Sequence, residues 1–294
     1  MTLPETPCGA EQSIALLQEA ARLLLQSPRR HGAMVHLVGE GVVTIAGDLH
    51  DNLPNLARLA GAAGLEDGGH LVVQELIHGP SLHHGCDLSH RMLLRIAALV
   101  MAHPQSVHPL LGNHELAQYL KRGVSKGGGN SVEQFEDGLD FAFGGDAEAV
   151  SEAIDTFILA MPLAVRTPGG VLCAHSMPDA AHMHRFDVAV LDRNPTADDL
   201  KGPFGSAYML TWGRRYDDAS LAVLAGAWNV KGFVLGHMHA EMGAEVRGER
   251  AVILNSDHER GVLLKLGMQD TFNTQTFVDA AIPLQMVPVP DGVL

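Results

Sequence analysis

Apolar residues recur at helical spacing over residues 11–27, with Ile14, Leu17, Ala21, Leu24 and Leu25 on one stripe, and Pro28 ends the run. MVHLVGEGVVTIAGD then reads as two short strands around Gly39-Glu40-Gly41, the second closing at Asp48. Asn52 is placed to cap a helix running to about Ala63. Residues 71–75 (LVVQE) form a short apolar strand, 88–102 a helix that stops before Pro104, and 106–111 (SVHPLL) a strand leading into GNHE. A Gly-rich loop at 127–129 precedes two helices between 131 and 160. Strands are expected at 163–165, 171–174 and 233–235, and a hairpin-like pair at 251–254 and 262–266. The Pro-rich tail 283–294 reads as a loose or edge segment.

Strands alternate with helices through the first half, which predicts an α/β sheet architecture. No internal repeat, low-complexity tract or linker interrupts it, so residues 1–294 are expected to form one domain, with the 11–27 helix and the tail as extensions. Hydrophobic residues at 46% and charged residues at 18% support a packed core rather than disorder. Aromatics are only 5%, so Leu, Val, Ala, Ile and Met must fill that core. A net charge of −14 repels nucleic acid and anionic membranes, and favours small soluble substrates or sites on other proteins. Three scattered cysteines make no disulfide framework, and the N-terminus lacks the basic-then-apolar pattern of a signal peptide. No apolar run reaches the length of a membrane span, so a cytoplasmic location is expected.

Histidine changes the picture: there are 17, nearly as many as Lys and Arg together. Position separates ordinary histidines from candidate metal ligands and acid–base groups. Four motifs each follow an apolar run: Gly47-Asp48-Leu49-His50, Gly112-Asn113-His114-Glu115, Cys173-Ala174-His175-Ser176 and Gly236-His237-Met238-His239. Strand ends in α/β sheets are where binding groups collect. In an extended segment residues i and i+2 share a face, so Asp48 with His50, and His237 with His239, are expected to reach one ion together. Each motif alone is weak. Their joint occurrence after strands points to a metal site.

GDLH, GNHE, AHS and GHMH, in that order, resemble the motif series of the calcineurin-like metallophosphoesterases, over about residues 42–266. IDTFILAMPLAVRTPGGVLCAHSMPD, LTW (210–212) and ILNSDHERGVLLKL (253–266) are similar to landmarks of its serine/threonine phosphoprotein phosphatase branch. The resemblance implies two face-to-face mixed sheets flanked by helices. It implies two divalent ions, manganese foremost, with iron, zinc, nickel or magnesium as other occupants. Asp48, His50 and His239 would hold the first ion, and Asn113, His175 and His237 the second. A carboxylate from the second motif would bridge them. Such a pair, roughly 3.5–4 Å apart, acidifies water for in-line attack on phosphorus. His114 would stand beside the leaving group.

The second motif departs from the branch's usual Gly-Asp-x-x-Asp-Arg-Gly. Here it is Gln74-Glu75-Leu76-Ile77-His78-Gly79-Pro80. Glu75 takes the bridging position with a longer arm. His78 replaces the Asp that orients the catalytic histidine, and resembles the Asp-x-x-His form of nucleases and phosphodiesterases. Gly79 replaces an Arg that clamps phosphate. A terminal phosphate benefits most from a guanidinium fork and a diester needs it less. Arg214 and Arg215, after LTWG, are the candidate replacements, with Lys121, Arg122 and Lys126 as further cations. The substrate is therefore expected to be a phosphorylated small molecule, nucleotide or phosphoprotein. Gly123-Val124-Ser125-Lys126-Gly127 matches a nucleophile pattern but lacks the strand before it, so a loop is expected. His83, His84, Cys86 and His90 match no zinc spacing.

Overall fold

A computed structural model describes residues 3–123, 125, 126 and 129–289. Helix α1 (Ala10–Leu25) buries Leu17, Ala20, Ala21 and Leu24. Leu25, expected on that stripe, is 50% exposed because the helix ends there. Strands β1 (Arg30–His31) and β2 (Met34–His36) pair, and β3 (Val42–Asp48) follows. Asn52 caps α2 (Leu53–Ala63) as expected, accepting the Asn55 N–H at 3.0 Å, and Gly64 at φ +65° ends it. Then come β4 (His70–Gln74), α3 (His90–Ala102), β5 (Val107–Leu110) and α4 (Asn113–Tyr119). The short strands β6 (Ser125–Lys126) and β7 (Gly129–Asn130) precede α5 (Ser131–Phe143) and α6 (Ala147–Ala160). The pattern at 123–127 lies partly outside the described residues. The second half adds β8 (Ala164–Arg166), β9 (Val171–Ala174), α7 (Ser206–Trp212), α8 (Asp218–Ala227) and β10 (Gly232–Leu235). It closes with β11 (Ala244–Arg247), β12 (Ala251–Leu254), β13 (Val262–Gly267), α9 (Thr274–Asp279) and β14 (Ala281–Pro283).

One sheet has the order β1-β2-β8-β9-β10-β12-β11 and the other β14-β13-β3-β4-β5. Both are mixed: β9, β10 and β12 run parallel with β11 reversed, and β3, β4 and β5 run parallel with β13 reversed. Val43, Ile45, Val72, Cys173, Val234, Val252 and Leu264 fill the space between the sheets. Their chain neighbours Ala46, Leu71, Val73, Leu172, Phe233, Ile253 and Leu263 face outward under the helices. With both faces buried, the strands carry unbroken apolar runs instead of an alternating pattern. This is the α/β arrangement of two face-to-face mixed sheets flanked by helices.

Residues 251–254 and 262–266 do not pair with each other. Both edges of β12 are occupied by β10 and β11, and β13 takes the edge of β3 in the other sheet. At the start of the tail Pro283 ends β14, which pairs with β13 at the sheet edge, and Val287 is tied back by Arg58 at 3.1 Å; residues 290–294 lie outside the described residues.

At the start of β4, His70 hydrogen-bonds His108 on β5 at 3.1 Å, and Arg29 approaches the other ring nitrogen at 3.0 Å. Burial, with the neighbouring cation, pushes His70 down to about 4 and His108 to about 3. Both folded values lie below the unfolded value near 6.5, so the stabilisation is complete above about pH 6.5. It is lost as pH falls toward 4, where the unfolded chain takes up protons that the folded one refuses. Each histidine should cost up to roughly 3 kcal/mol by pH 4. Urea midpoints measured from pH 7 to 4 should fall accordingly, with a shallower slope in His108→Gln; an equal slope would remove this pair as the cause.

Candidate metal centre and its groove

The predicted site residues gather at the carboxyl ends of five strands. Asp48 closes β3, Glu75 follows β4, and Asn113 begins α4 just beyond β5. His175 follows β9, and His237 stands after Gly236 beyond β10. The loops carry unusual backbone: His50, Glu75, His78 and His237 have φ of +42°, +46°, +61° and +64°. Non-glycine residues in this region are strained and are held there by their surroundings. At Glu75 the holding is visible, since its carbonyl accepts the N–H groups of Leu49 and His50 at 3.0 and 2.9 Å.

Among the described residues, His and carboxylate donors converge in two groups, His50-Glu75-His114 and Glu75-His175-His237. Glu75 belongs to both. Its Oε1 lies 3.0 Å from His114 Nε2 and 3.5 Å from His50 Nε2, while Oε2 lies 3.4 Å from His175 Nε2. Asn113 Oδ1 sits 2.8 Å from both His175 Nε2 and His237 Nδ1. Asp48 Oδ1 is 3.8 Å from His175 Nδ1, and the Asp48 carboxylate accepts the His237 N–H at 2.9 and 3.1 Å. Burial holds His175 well below its usual range, and burial and Arg214 lower His237 to about 3. Burial thus favours the neutral form of both rings, the form able to ligate a metal.

His239 joins neither group. It is exposed, with its ring 5.6 Å from that of His258. The i, i+2 argument assumes extended backbone, and the left-handed His237 turns the chain before His239 is reached.

His78 and His114 stand together on one side, their rings 5.3 Å apart. His78 Nδ1 bonds Asp87 Oδ2 at 2.8 Å, and Nε2 is buried without a hydrogen-bond partner among the described residues. Ser89 locks this pair, accepting the His78 N–H at 3.0 Å and donating its own N–H to Asp87 at 2.8 Å. The pair lines a groove of about 640 Å³ together with His50, Pro80, Leu82 and His258. Gly79 leaves no room for a side chain: a Cβ would lie 2.6 Å from the His50 carbonyl oxygen and 2.8 Å from Asp51 Cβ. Arg214 reaches the centre, donating to the His237 carbonyl oxygen at 2.7 Å. Arg215 is exposed, and Asp179 holds both backbone N–H groups at 2.7 and 2.8 Å. Lys121 is taken by Glu136 at 2.7 Å.

Sequence reasoning missed three buried residues. Gln74 contacts His175 Nδ1 at 2.9 Å. Asp87 orients His78, with no local motif to announce it. Glu115 accepts the N–H groups of Leu76 and Ile77 at 2.7 and 3.3 Å and so shapes the second-motif loop; burial raises its carboxyl to about 7. Glu115 was spelled out within GNHE, but its partners lie near position 76 and only the fold reveals them.

The calcineurin-like phosphoesterase family model matches residues 41–241. No curated protein matches the sequence. A serine/threonine phosphatase from Saccharomyces cerevisiae, with similarity to human phosphatase PP5, shares 14% identity at a TM-score of 0.62, covering 87% of this chain and 82% of that one. A cold-active protein-tyrosine phosphatase of the psychrophile Shewanella sp. shares 17% identity at a TM-score of 0.54, covering 83% and 79%. At such identities the structural likeness establishes the fold alone. With the family match spanning well over half its length and the motif residues gathered at the strand ends, this chain belongs to the calcineurin-like phosphoesterase family.

Proposed function

We propose that the protein is a phosphoesterase dependent on two divalent metal ions. The observation that carries this reading is Glu75, whose two carboxylate oxygens face two separate groups of imidazole donors. The donor set fits cations for a second reason. Asn113 Oδ1 and Glu75 Oε2 crowd within 3.4 Å of His175 Nε2, and the other ring nitrogen already faces Gln74. Converging lone pairs repel one another unless a cation lies among them. His50, Glu75 and Asp48 would hold one ion, and Glu75, Asn113, His175 and His237 the other, with manganese the first choice and iron, zinc, nickel or magnesium the alternatives. His239 is left out because it packs on His258 at the surface. The chemistry supplied by such a pair is acidification of water and neutralisation of charge on the phosphoryl oxygens.

The chain's own groups do the rest. Arg214, anchored on the His237 carbonyl, is the guanidinium available to a phosphoryl oxygen. Asp87 keeps His78 Nδ1 as a donor, so Nε2 is the atom that exchanges a proton with a leaving oxygen in the groove. His114 stands on the same side, held against Glu75. The substrate is a phosphorylated small molecule, nucleotide or phosphoprotein. The closed position at Gly79 supports a second reading, phosphodiester hydrolysis, because a singly charged diester depends less on the missing clamp. A cytoplasmic setting accords with the three unpaired cysteines, and no helix among the described residues is long and apolar enough to cross a membrane.

Turnover of a chromogenic phosphate monoester, an aryl phosphodiester and a phosphopeptide should be compared with added Mn²⁺. At least one should be hydrolysed, and His175→Ala should lower that rate more than about 100-fold. Bound metal without hydrolysis of any of the three would leave a metal-binding protein with degraded catalysis, serving an interaction, and would sink the enzymatic reading.

A further inference from the structure

Two consecutive residues grip the two ring nitrogens of His175. Gln74 Oε1 lies 2.9 Å from Nδ1, and Glu75 Oε2 lies 3.4 Å from Nε2. Adjacent residues of a strand point to opposite faces, so this is not what β4 would give if it simply continued. The left-handed backbone of Glu75, φ +46°, breaks the alternation and brings both side chains onto one imidazole. Gln74 is fully buried, and its orientation is fixed from behind: Nε2 donates at 3.0 Å to the Ala46 carbonyl, which can only accept. Oε1 is therefore the atom turned toward His175, ready to accept a hydrogen from Nδ1, while Asn113 Oδ1 at 2.8 Å makes the competing claim at Nε2. A neutral imidazole has one N–H; with it on Nδ1, Nε2 keeps its lone pair aimed at Glu75 and Asn113. Gly236 leaves the room: a Cβ there would come 2.7 Å from Gln74 Oε1 and would overlap Asp48 Oδ1. The branch that the second motif resembles has glycine where Gln74 stands, so this chain adds a side chain to the centre.

We infer that Gln74 is a positioning residue that fixes the Nδ1–H tautomer of His175, with Gln74-Glu75 acting as one two-residue device that aims His175 Nε2 at the metal. The inference rests on the proposal that His175 is a metal ligand. Partners that orient a ligating imidazole typically contribute 10–100-fold to metal affinity.

The test uses the full chain, with nitrogen-15 NMR of the histidine rings in metal-free protein, Mn²⁺ titration and thermal melting. His175, identified by loss of its signals in His175→Gln, should show the Nδ1–H tautomer in the parent protein. Gln74→Leu should shift it toward Nε2–H and weaken Mn²⁺ binding about 10–100-fold. Gln74→Glu keeps the acceptor but loses the donor to Ala46, so it should melt lower yet keep the tautomer and bind Mn²⁺ no more weakly. A merely structural role would lower melting in both variants and leave tautomer and affinity alone, and that result overturns the inference. Should Gln74→Leu fail to fold, an Nε2–H tautomer in Gln74→Glu overturns it instead. A parent protein that binds no Mn²⁺ would count against the metal centre, while the tautomer would still decide the role of Gln74.

Discussion

Glu75→Ala should bind little metal at either position and lose essentially all turnover, whereas His175→Ala and His50→Ala should each impair mainly one. The difference follows from the two carboxylate oxygens. Oε1 faces His114 at 3.0 Å and His50 at 3.5 Å, and Oε2 faces His175 at 3.4 Å. Removing one imidazole leaves the opposite group intact, while removing the carboxylate takes a donor and a negative charge from both. Glu75→Asp restores the usual family residue on a shorter arm. The loop cannot slide inward to compensate, because Leu49 and His50 pin the Glu75 carbonyl at 3.0 and 2.9 Å. Glu75→Asp should therefore retain two ions at weakened affinity. Elemental analysis and Mn²⁺ titration separate these outcomes. Two ions and near-normal turnover in Glu75→Ala would mean that the bridge comes from elsewhere. Asp51 would be the first suspect, since it lines a cavity of about 230 Å³ beside His50 and burial raises its carboxyl to about 6.

Gly47→Ala should be strongly destabilising. Its Cβ would overlap the carbonyl of Leu254 and lie 2.6 Å from the Asn255 nitrogen, all backbone atoms that no rotamer change can move. Gly47 is where the sheets are stitched. Its N–H meets Ser256 Oγ at 3.0 Å, Asp48 bridges Asn255, and the Ser256 N–H returns to the Asp48 carbonyl at 3.0 Å. Relief requires β12 to retreat from β3, which carries Asp48 away from His237 as well. Overpacking costs about 1–3 kcal/mol even where side chains can yield, so about 3 kcal/mol or more is expected here. That corresponds to a melting temperature lower by roughly 5 °C. Gly226→Ala, with nothing within 4 Å of its Cβ, is the control and should melt like the parent. Equal melting of Gly47→Ala and the parent would show that the two sheets are not held this tightly.

Much of this was legible in the chain. Apolar runs ending in Asp48, Glu75, Asn113, His175 and His237 marked strand ends, and the fold brings these residues together as such runs imply. What the sequence withheld were relations that depend on a single backbone angle or on distant partners. His237 at φ +64° sends His239 outward, and no residue type at 237 announces that conformation. Asp87 reaches His78 only because the loop between them folds back, and Gln74 reaches His175 across 101 positions. The mistaken pairing of 251–254 with 262–266 has the same origin. Local sequence proposes a hairpin, but competition between sheet edges decides the partner.

The donors around Glu75 come from positions as far apart as 48 and 237, and from both sheets. Contacts this remote in sequence form late, because the chain must close long loops before any of them is rewarded. A unit holding only β3, β4 and β5 carries the His50-Glu75-His114 group but lacks His175 and His237. The second group is completed only when the other sheet docks. An ion held there would act on the finished molecule, slowing its unfolding more than it hastens its folding.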